Sequence, residues 1–80
     1  MASLIRTGRL FRIVFSWIDR KRYTLRLGAV SQRDAALIRH HIESIISAKS
    51  NGLPLRDEQI VWLRDLPDGL RDRLRRVHLA

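Results

Sequence analysis

The sequence contains no cysteine, so it can form neither disulfide bonds nor cysteine-ligated zinc sites. Long hydrophobic runs are also missing. No segment approaches the length of a transmembrane helix, and Arg12 interrupts the one stretch that could form the apolar core of a secretory signal. These absences favour a reducing compartment, and we expect the protein to reside in the cytoplasm.

Catalytic and metal-binding constellations are lacking as well. His40 and His41 are consecutive, so on a helix their side chains point about 100° apart and do not converge on one metal ion. Ser31 has no histidine and acid at a recognisable spacing, and the glycines do not gather in a phosphate-binding loop. With 80 residues, the chain forms one small domain, residues 1–80, without room for a large catalytic cleft. We therefore expect a protein that is not an enzyme and uses no metal or other cofactor.

Acidic residues are scarce in the first 26 positions, where Asp19 is the single acid. This stretch carries six of the eight net positive charges of the chain. Its basic residues are Arg6, Arg9, Arg12, Arg20, Lys21, Arg22 and Arg26. The whole chain has fourteen arginines but two lysines, and the guanidinium fork suits phosphate and guanine better than an ammonium does. The charge therefore predicts an acidic partner, with a nucleic-acid backbone as the obvious candidate.

The stretch that carries this charge also predicts a β-sheet. Apolar and polar residues alternate along it, which indicates strands with two unlike faces. We expect turns at Gly8 and across residues 19–21. The expected strands are Ser3 to Thr7, Arg9 to Trp17 and Arg22 to Leu27, in a sheet over residues 3–27.

The alternation separates an apolar inner face from a basic outer face. The inner residues of the second and third strands are Phe11, Ile13, Phe15, Trp17, Tyr23, Leu25 and Leu27. The outer face carries Arg12, Arg22 and Arg26, whose like charges repel unless an anion lies across them. Two registers keep the inner residues together: Phe15 pairs with Tyr23, which places Arg12 opposite Arg26, or Phe15 pairs with Leu25.

The rest of the chain predicts three helices. Ser31 suits an N-cap, with Asp34 as its capping acid, and Asn51-Gly52 is a stop signal, so a long helix is expected over residues 31–50. Its apolar stripe is Ala35, Ile38, Ile42, Ile45 and Ile46. Short helices should follow at residues 56–64 and 67–77. Their expected inward residues are Ile60 and Leu63, then Leu70, Leu74 and Val77. The fold class is α+β: a three-stranded antiparallel sheet packed on a long helix, followed by two short helices.

The last 28 residues are nearly balanced in charge, with six arginines and five acids. Asp68 and Arg71 are at ion-pairing spacing on a helix, as are Asp72 and either Arg75 or Arg76. This pattern is typical of a solvated helix face. A docking surface and auxiliary phosphate contacts are the alternatives.

Several short motifs follow one another along the chain in a characteristic order. Residues 21–28 are Lys-Arg-Tyr-Thr-Leu-Arg-Leu-Gly, and residues 30–36 are Val-Ser-Gln-Arg-Asp-Ala-Ala. The long helix ends near Asn-Gly-Leu-Pro-Leu at residues 51–55, and Trp62-Leu63 lies on the helix that follows. In this order of features the chain resembles, over nearly all of its length, the amino-terminal arm-type DNA-binding domain of tyrosine recombinases, the phage-type integrases. Residues 17–20 depart from the more polar, glycine-bearing turn of many relatives, so a longer or bulged hairpin is expected there.

The resemblance implies a sheet that lies in the major groove of double-stranded DNA and binds it sequence-specifically. By position, the residues implied to meet the bases are Arg6, Arg12, Ser16, Arg22, Thr24 and Arg26. Those expected at phosphates are Arg9, Arg20 and Lys21. The catalytic residues of the family have no room in this chain, so any recombinase activity would belong to other sequence. Other domains or protomers of a recombinase assembly are further expected partners, and association with the nucleoid is the expected location.

Two other functions compete with DNA binding. A basic sheet can also bind RNA, but the exposed strand positions lack the aromatic residues that stack on unpaired bases. A protein-interaction domain is the third hypothesis, with the mixed-charge carboxy-terminal helices as its surface.

Overall fold

The computed structural model describes residues 2–16, 21–77 and 79. Three antiparallel strands in the order β1-β2-β3 form a sheet, and three helices follow it. The elements are β1 (Ala2–Thr7), β2 (Leu10–Ser16), β3 (Arg22–Gly28), α1 (Gln32–Ser50), α2 (Asp57–Arg64) and α3 (Asp68–Arg76). The α+β fold expected from the sequence is confirmed, with boundaries close to those expected.

The register of the sheet is the first of the two that the alternation allowed. Phe15 lies opposite Tyr23, and their rings stack with centroids 5.8 Å apart. Arg12 consequently lies opposite Arg26. A tight turn joins β1 to β2 through Gly8, whose φ of 62° is a conformation that glycine adopts without steric cost.

A β-bulge interrupts the pairing of β2 with β3 at one end of the sheet. Arg12 pairs with Arg26, but Phe11 pairs with Gly28, so Leu27 is an extra residue on β3. This bulge lies at the opposite end of the β2–β3 pairing from Ser16 and Arg22, whereas the sequence predicted a longer or bulged hairpin at residues 17–20. Residues 17–20, including Trp17 and Arg20, lie outside the described part of the chain.

The core lies between the inner face of the sheet and the helices. Ile13, Phe15 and Leu25 are at most 1% exposed. Ala35, Ile42, Ile45 and Ile46 of α1 are buried in the same cluster, and Ile38 packs against it while partly exposed. Each fully buried large side chain contributes about 1.5 to 3 kcal/mol. Because α1 packs on β1 and α3 packs on β3, the inner face is covered and the outer face remains in solvent.

Both ends of α1 are capped as the sequence predicts. The Ser31 hydroxyl accepts a hydrogen bond from the Asp34 N–H at 3.0 Å. At the other end, the Gly52 N–H donates to the Lys49 carbonyl at 3.2 Å and the Leu53 N–H donates to the Ala48 carbonyl at 2.8 Å. These two bonds, with Gly52 at a φ of 67°, form a Schellman motif.

The inner side of α2 differs from the prediction. Ile60 was expected to face inward, but it is 48% exposed, so this prediction is wrong. Gln59 is the buried residue instead, at 3% exposure. Its amide nitrogen donates to the Ser44 hydroxyl of α1, and its amide oxygen accepts from the Arg56 N–H at 2.7 Å. Because these bonds satisfy a buried polar group, α2 turns its Gln59 side inward and leaves Ile60 outside. Leu63 is half-buried and packs against the core, as expected.

The third helix packs as predicted. Leu74 is fully buried, Val77 is buried, and Leu70 packs against the same cluster. Arg71 connects α3 to the end of α2, since its guanidinium donates to the Arg64 carbonyl and, at 3.3 Å, to the Leu66 carbonyl. Carbonyls at a helix end need such donors, because they have no partner within the helix.

Candidate nucleic-acid interface

The outer face of the sheet is a basic surface with small polar and aliphatic residues around it. Directly paired residues share a face, so the register fixes its composition. The outward positions of the described strands are Ser3, Ile5, Thr7, Leu10, Arg12, Val14, Ser16, Arg22, Thr24 and Arg26. None of these residues is acidic or aromatic.

Arg12 and Arg26 form a charged pair on this face, next to the β-bulge. They are exposed and directly opposite one another on neighbouring strands. Within the described residues, neither they nor Arg22 form an ion pair with an acid at 4.0 Å or less. Like charges placed directly across a sheet repel, so this arrangement costs stability by itself.

The backbone fixes the direction of these two side chains. Arg12 lies between buried Phe11 and Ile13, and Arg26 lies between buried Leu25 and Leu27. Turning either arginine inward would move its apolar neighbours into water. The core therefore holds both arginines on the outer face.

Three other predicted base contacts lie where expected. Ser16 pairs with Arg22 near the end of the sheet away from the bulge, and Thr24 pairs with Val14 between that pair and the Arg12–Arg26 pair. Ser16, Arg22 and Thr24 are all exposed on the outer face.

The position of Arg6 differs from the prediction. Arg6 pairs with Phe11, which is buried, so position 6 lies on the inner side of the sheet. The prediction that placed Arg6 among the outward residues is therefore wrong. The Arg6 side chain is nevertheless exposed, because it lies near the β1–β2 turn. Its Nε donates to the Gly8 carbonyl at 2.8 Å, and its guanidinium lies 5.7 Å from the centre of the Phe11 ring. The two-residue alternation of β1 is weak, since Ile5 points outward, and this explains the error.

The predicted phosphate contacts occupy the borders of the sheet. Arg9 is exposed in the β1–β2 turn, and it lines a cleft of about 340 Å³ together with Arg6, Ser31 and Gln32. Lys21 is exposed immediately before β3. Arg20 lies outside the described residues, so its expected role rests on the resemblance alone.

Five arginines of the helical layer have acidic partners. The ion pairs among the described residues all lie in α1, α2, α3 or their borders, with N to O distances of 3.6 to 3.9 Å. They are Arg39 with Glu43, Arg56 with Glu58, Arg64 with Asp65, Arg71 with Asp68, and Arg75 with Asp72. The two pairs within α3 follow the spacing that the sequence showed.

Arg73 is a residue that the sequence analysis missed. It belongs to α3, yet its Nη1 donates to the Arg26 carbonyl on β3 at 2.9 Å. The sequence did contain a signal for this contact. Arg71 and Arg75 each have an acid three residues before them, Asp68 and Asp72, but the positions three and four residues from Arg73, which are 69, 70, 76 and 77, carry no acid. An arginine without a helical partner is free to reach another element.

His41 makes a packing contact between two helices. His41 stacks on Trp62 of α2 with ring centroids 4.5 Å apart, and this contact joins α1 to α2. Burial, with a smaller contribution from neighbouring His40, lowers the pKa of His41. In the described part of the chain, no three histidine or acidic side chains come together as a metal site would need.

Across the residues that the structure describes, no helix combines the length and apolar character that crossing a bilayer requires. Comparison of the chain with protein-family models, with curated proteins and with solved structures found no match.

Proposed function

We propose that this domain binds double-stranded DNA sequence-specifically, with the outer face of its sheet in the major groove, as the accessory domain of a tyrosine recombinase. The observation that carries this proposal is the direct pairing of Arg12 with Arg26, without an acid partner in the described structure. Two opposed guanidinium groups repel, and an anionic ligand lying across them converts that repulsion into attraction. Duplex DNA supplies phosphates along its whole length and guanine acceptors in its major groove.

The dimensions of the sheet support this geometry. Neighbouring strands lie about 4.8 Å apart, so three strands span roughly 10 Å between the outermost axes. The major groove of B-form DNA is about 12 Å wide. The outer face can therefore approach base edges at its centre while its borders approach the phosphates on either side.

The residue types on the face suit base edges. Arg12 and Arg26 can each donate two hydrogen bonds to guanine O6 and N7, the commonest specific contact in the major groove. Arg22, Ser16 and Thr24 add hydrogen-bonding groups on the same face. Val14 lies between Ser3 and Thr24, and its methyl groups suit the thymine methyl.

The borders supply contacts that do not depend on base identity. Arg9 and Lys21 are exposed near opposite ends of the sheet, and Arg6 joins Arg9 beside the β1–β2 turn. We assign these residues to phosphates, which position the sheet in the groove. Arg6 thus moves from the base-reading group to the phosphate group.

Duplex DNA fits better than RNA for two physical reasons. Phe11, Phe15 and Tyr23 belong to the inner face, so the described outer face has no ring on which an unpaired base could stack. The major groove of A-form RNA is also too deep and narrow for side chains to read. A protein-interaction domain remains the other alternative.

A binding comparison tests the proposal. The affinity for duplex DNA and for single-stranded RNA is measured by fluorescence anisotropy at about 50 and 200 mM salt, because phosphate contacts weaken with salt. With five or six phosphate contacts, duplex affinity should fall roughly 500- to 1,800-fold over this range. Tighter binding to single-stranded RNA would favour an RNA-binding module. Binding to neither would leave the protein-interaction hypothesis.

A further inference from the structure

Three arginines from three different elements meet at the bulged end of the sheet. Arg12 of β2, Arg26 of β3 and Arg73 of α3 line one cleft of about 410 Å³. Thr7 and Gly28 also line this cleft. No acidic side chain is among the described residues that line it, so the cleft concentrates positive charge.

Arg73 reaches this cleft because α3 packs on β3. Its hydrogen bond to the Arg26 carbonyl fixes the guanidinium beside the sheet and uses one of five N–H donors. The remaining donors are available to a ligand. Arg73 has no ion-pair partner in the described structure, whereas neighbouring Arg75 pairs with Asp72.

The bulge brings the parts of this corner together. The extra residue Leu27 shifts the pairing, so Gly28 replaces a side-chain-bearing residue opposite Phe11. No atom outside residues 27–29 lies within 4 Å of the point where a Cβ at Gly28 would stand. The cleft is therefore open at its β3 border, and an anion can approach the arginines there.

We infer that this cleft binds one backbone phosphate of the DNA, with Arg73 as a contact supplied by the helical layer. The inference rests on the proposed function and extends it, because it makes α3 part of the DNA interface. A phosphate has the charge and the acceptor oxygens that the Arg73 guanidinium group binds, and Arg12 and Arg26 add positive charge to the same cleft while they donate to base edges. Arg12 and Arg26 lie on the face that meets the groove, so the phosphate at this corner belongs to a strand bordering that groove.

The test compares two neighbouring arginines of α3. Arg73→Gln and Arg75→Gln remove the same charge from the same helix, but Arg75 lies at the Asp72 ion pair. Duplex affinity is measured over a salt series for both variants and for the wild-type protein. Thermal melting and circular dichroism check that each variant folds.

Arg73→Gln should reduce the magnitude of the log-log salt slope by about 0.9 and weaken binding roughly fivefold near 0.15 M salt. Target and random duplexes should lose affinity alike, since a phosphate carries no base information. Arg75→Gln should change the slope far less. Arg73→Lys should restore most of the slope, because it restores the charge.

Each other outcome overturns the inference. Equal slopes for Arg73→Gln and Arg75→Gln, with strong duplex binding retained, would exclude the phosphate contact and leave the proposed function standing. If Arg73→Gln weakens binding of inorganic phosphate, measured by calorimetry, but leaves DNA binding unchanged, the cleft is an anion site that DNA does not use. If the wild-type protein does not bind duplex DNA, the proposed function and this inference fail together.

Discussion

The outer face of the sheet and the helical layer are both rich in arginine, but they differ in their acids. The described outer face has three arginines and no acid, whereas five arginines of the helical layer form ion pairs. Arginine content alone does not separate the two regions, because it counts arginines without their acidic partners. The comparison teaches that an arginine without an acid partner indicates a ligand surface more strongly than arginine content does.

Energies sharpen this contrast. Exposed ion pairs contribute about 0 to 1 kcal/mol each, so the pairs of the helical layer have modest structural value. A directly opposed like-charge pair in a sheet costs a few tenths to about 1 kcal/mol. The pairing of Arg12 with Arg26 therefore does not stabilise the fold, and the proposed DNA binding would account for their placement.

The largest expected effect comes from breaking the core that holds both regions. Phe15 is 1% exposed, and Phe15→Ala should lower the free energy of unfolding by roughly 3 to 5 kcal/mol. Urea denaturation measures this loss. Ile60→Ala is the control. Because Ile60 is exposed, this substitution should lower the free energy of unfolding much less. A Phe15→Ala protein as stable as the wild type would show that the inner face is wrongly assigned.

The next effect separates base-reading arginines from ion-paired ones. Arg26→Ala should cost about 1 to 3 kcal/mol of affinity for the preferred duplex and relax the preference at one base pair. Arg64→Ala, which removes a charge at an ion pair with Asp65, should leave that preference unchanged. Selection from a randomised duplex library measures both. Uniform losses on preferred and random DNA would remove Arg26 from the base-reading set.

A smaller effect has opposite signs for stability and binding. Arg12→Gln relieves the repulsion from Arg26, so the free energy of unfolding should rise by about 0.2 to 1 kcal/mol while duplex affinity falls. Arg75→Gln loses an ion pair with Asp72 and should not gain stability. Thermal melting at low salt measures the difference. Destabilisation by Arg12→Gln would show that the opposed arginines have a structural role.

The smallest expected effect is a pH dependence in the helical layer. The lowered pKa of His41 means that the folded protein binds this proton less readily than the unfolded chain does. The contribution of His41 to stability is therefore present above its ordinary pKa of about 6.5 and is lost as the pH falls below it. Between pH 7.5 and pH 5, the melting temperature should fall less for His41→Gln than for the wild type. Equal decreases would remove His41 as a source of the dependence.

Patterns within a single element predicted most of the fold. The alternation of Phe11, Ile13 and Phe15 identified the inner face, and Ser31 with Asn51-Gly52 identified the ends of α1. These signals depend on local geometry, which the sequence encodes directly. Arg12 and Arg26 could be assigned to the outer face in the same way.

Features that depend on contacts between elements were harder to predict. Gln59 is buried because Ser44 on another helix satisfies it, and hydrophobic periodicity does not detect such a partner. The bulge at Leu27 and the reach of Arg73 to the Arg26 carbonyl likewise arise from packing. Arg6 was misplaced because β1 has too little alternation to fix its faces.

The most direct test removes equal charge from the two regions. One variant carries Arg12→Gln, Arg22→Gln and Arg26→Gln on the outer face, and the other carries Arg56→Gln, Arg64→Gln and Arg75→Gln at helical ion pairs. The wild-type log-log salt slope for duplex DNA should be roughly −4 to −6. The outer-face variant should lose most of its affinity for the preferred duplex, while the helical variant stays close to the wild type. Equal losses in the two variants would show that total charge, rather than the unpaired outer face, determines binding and would contradict the account.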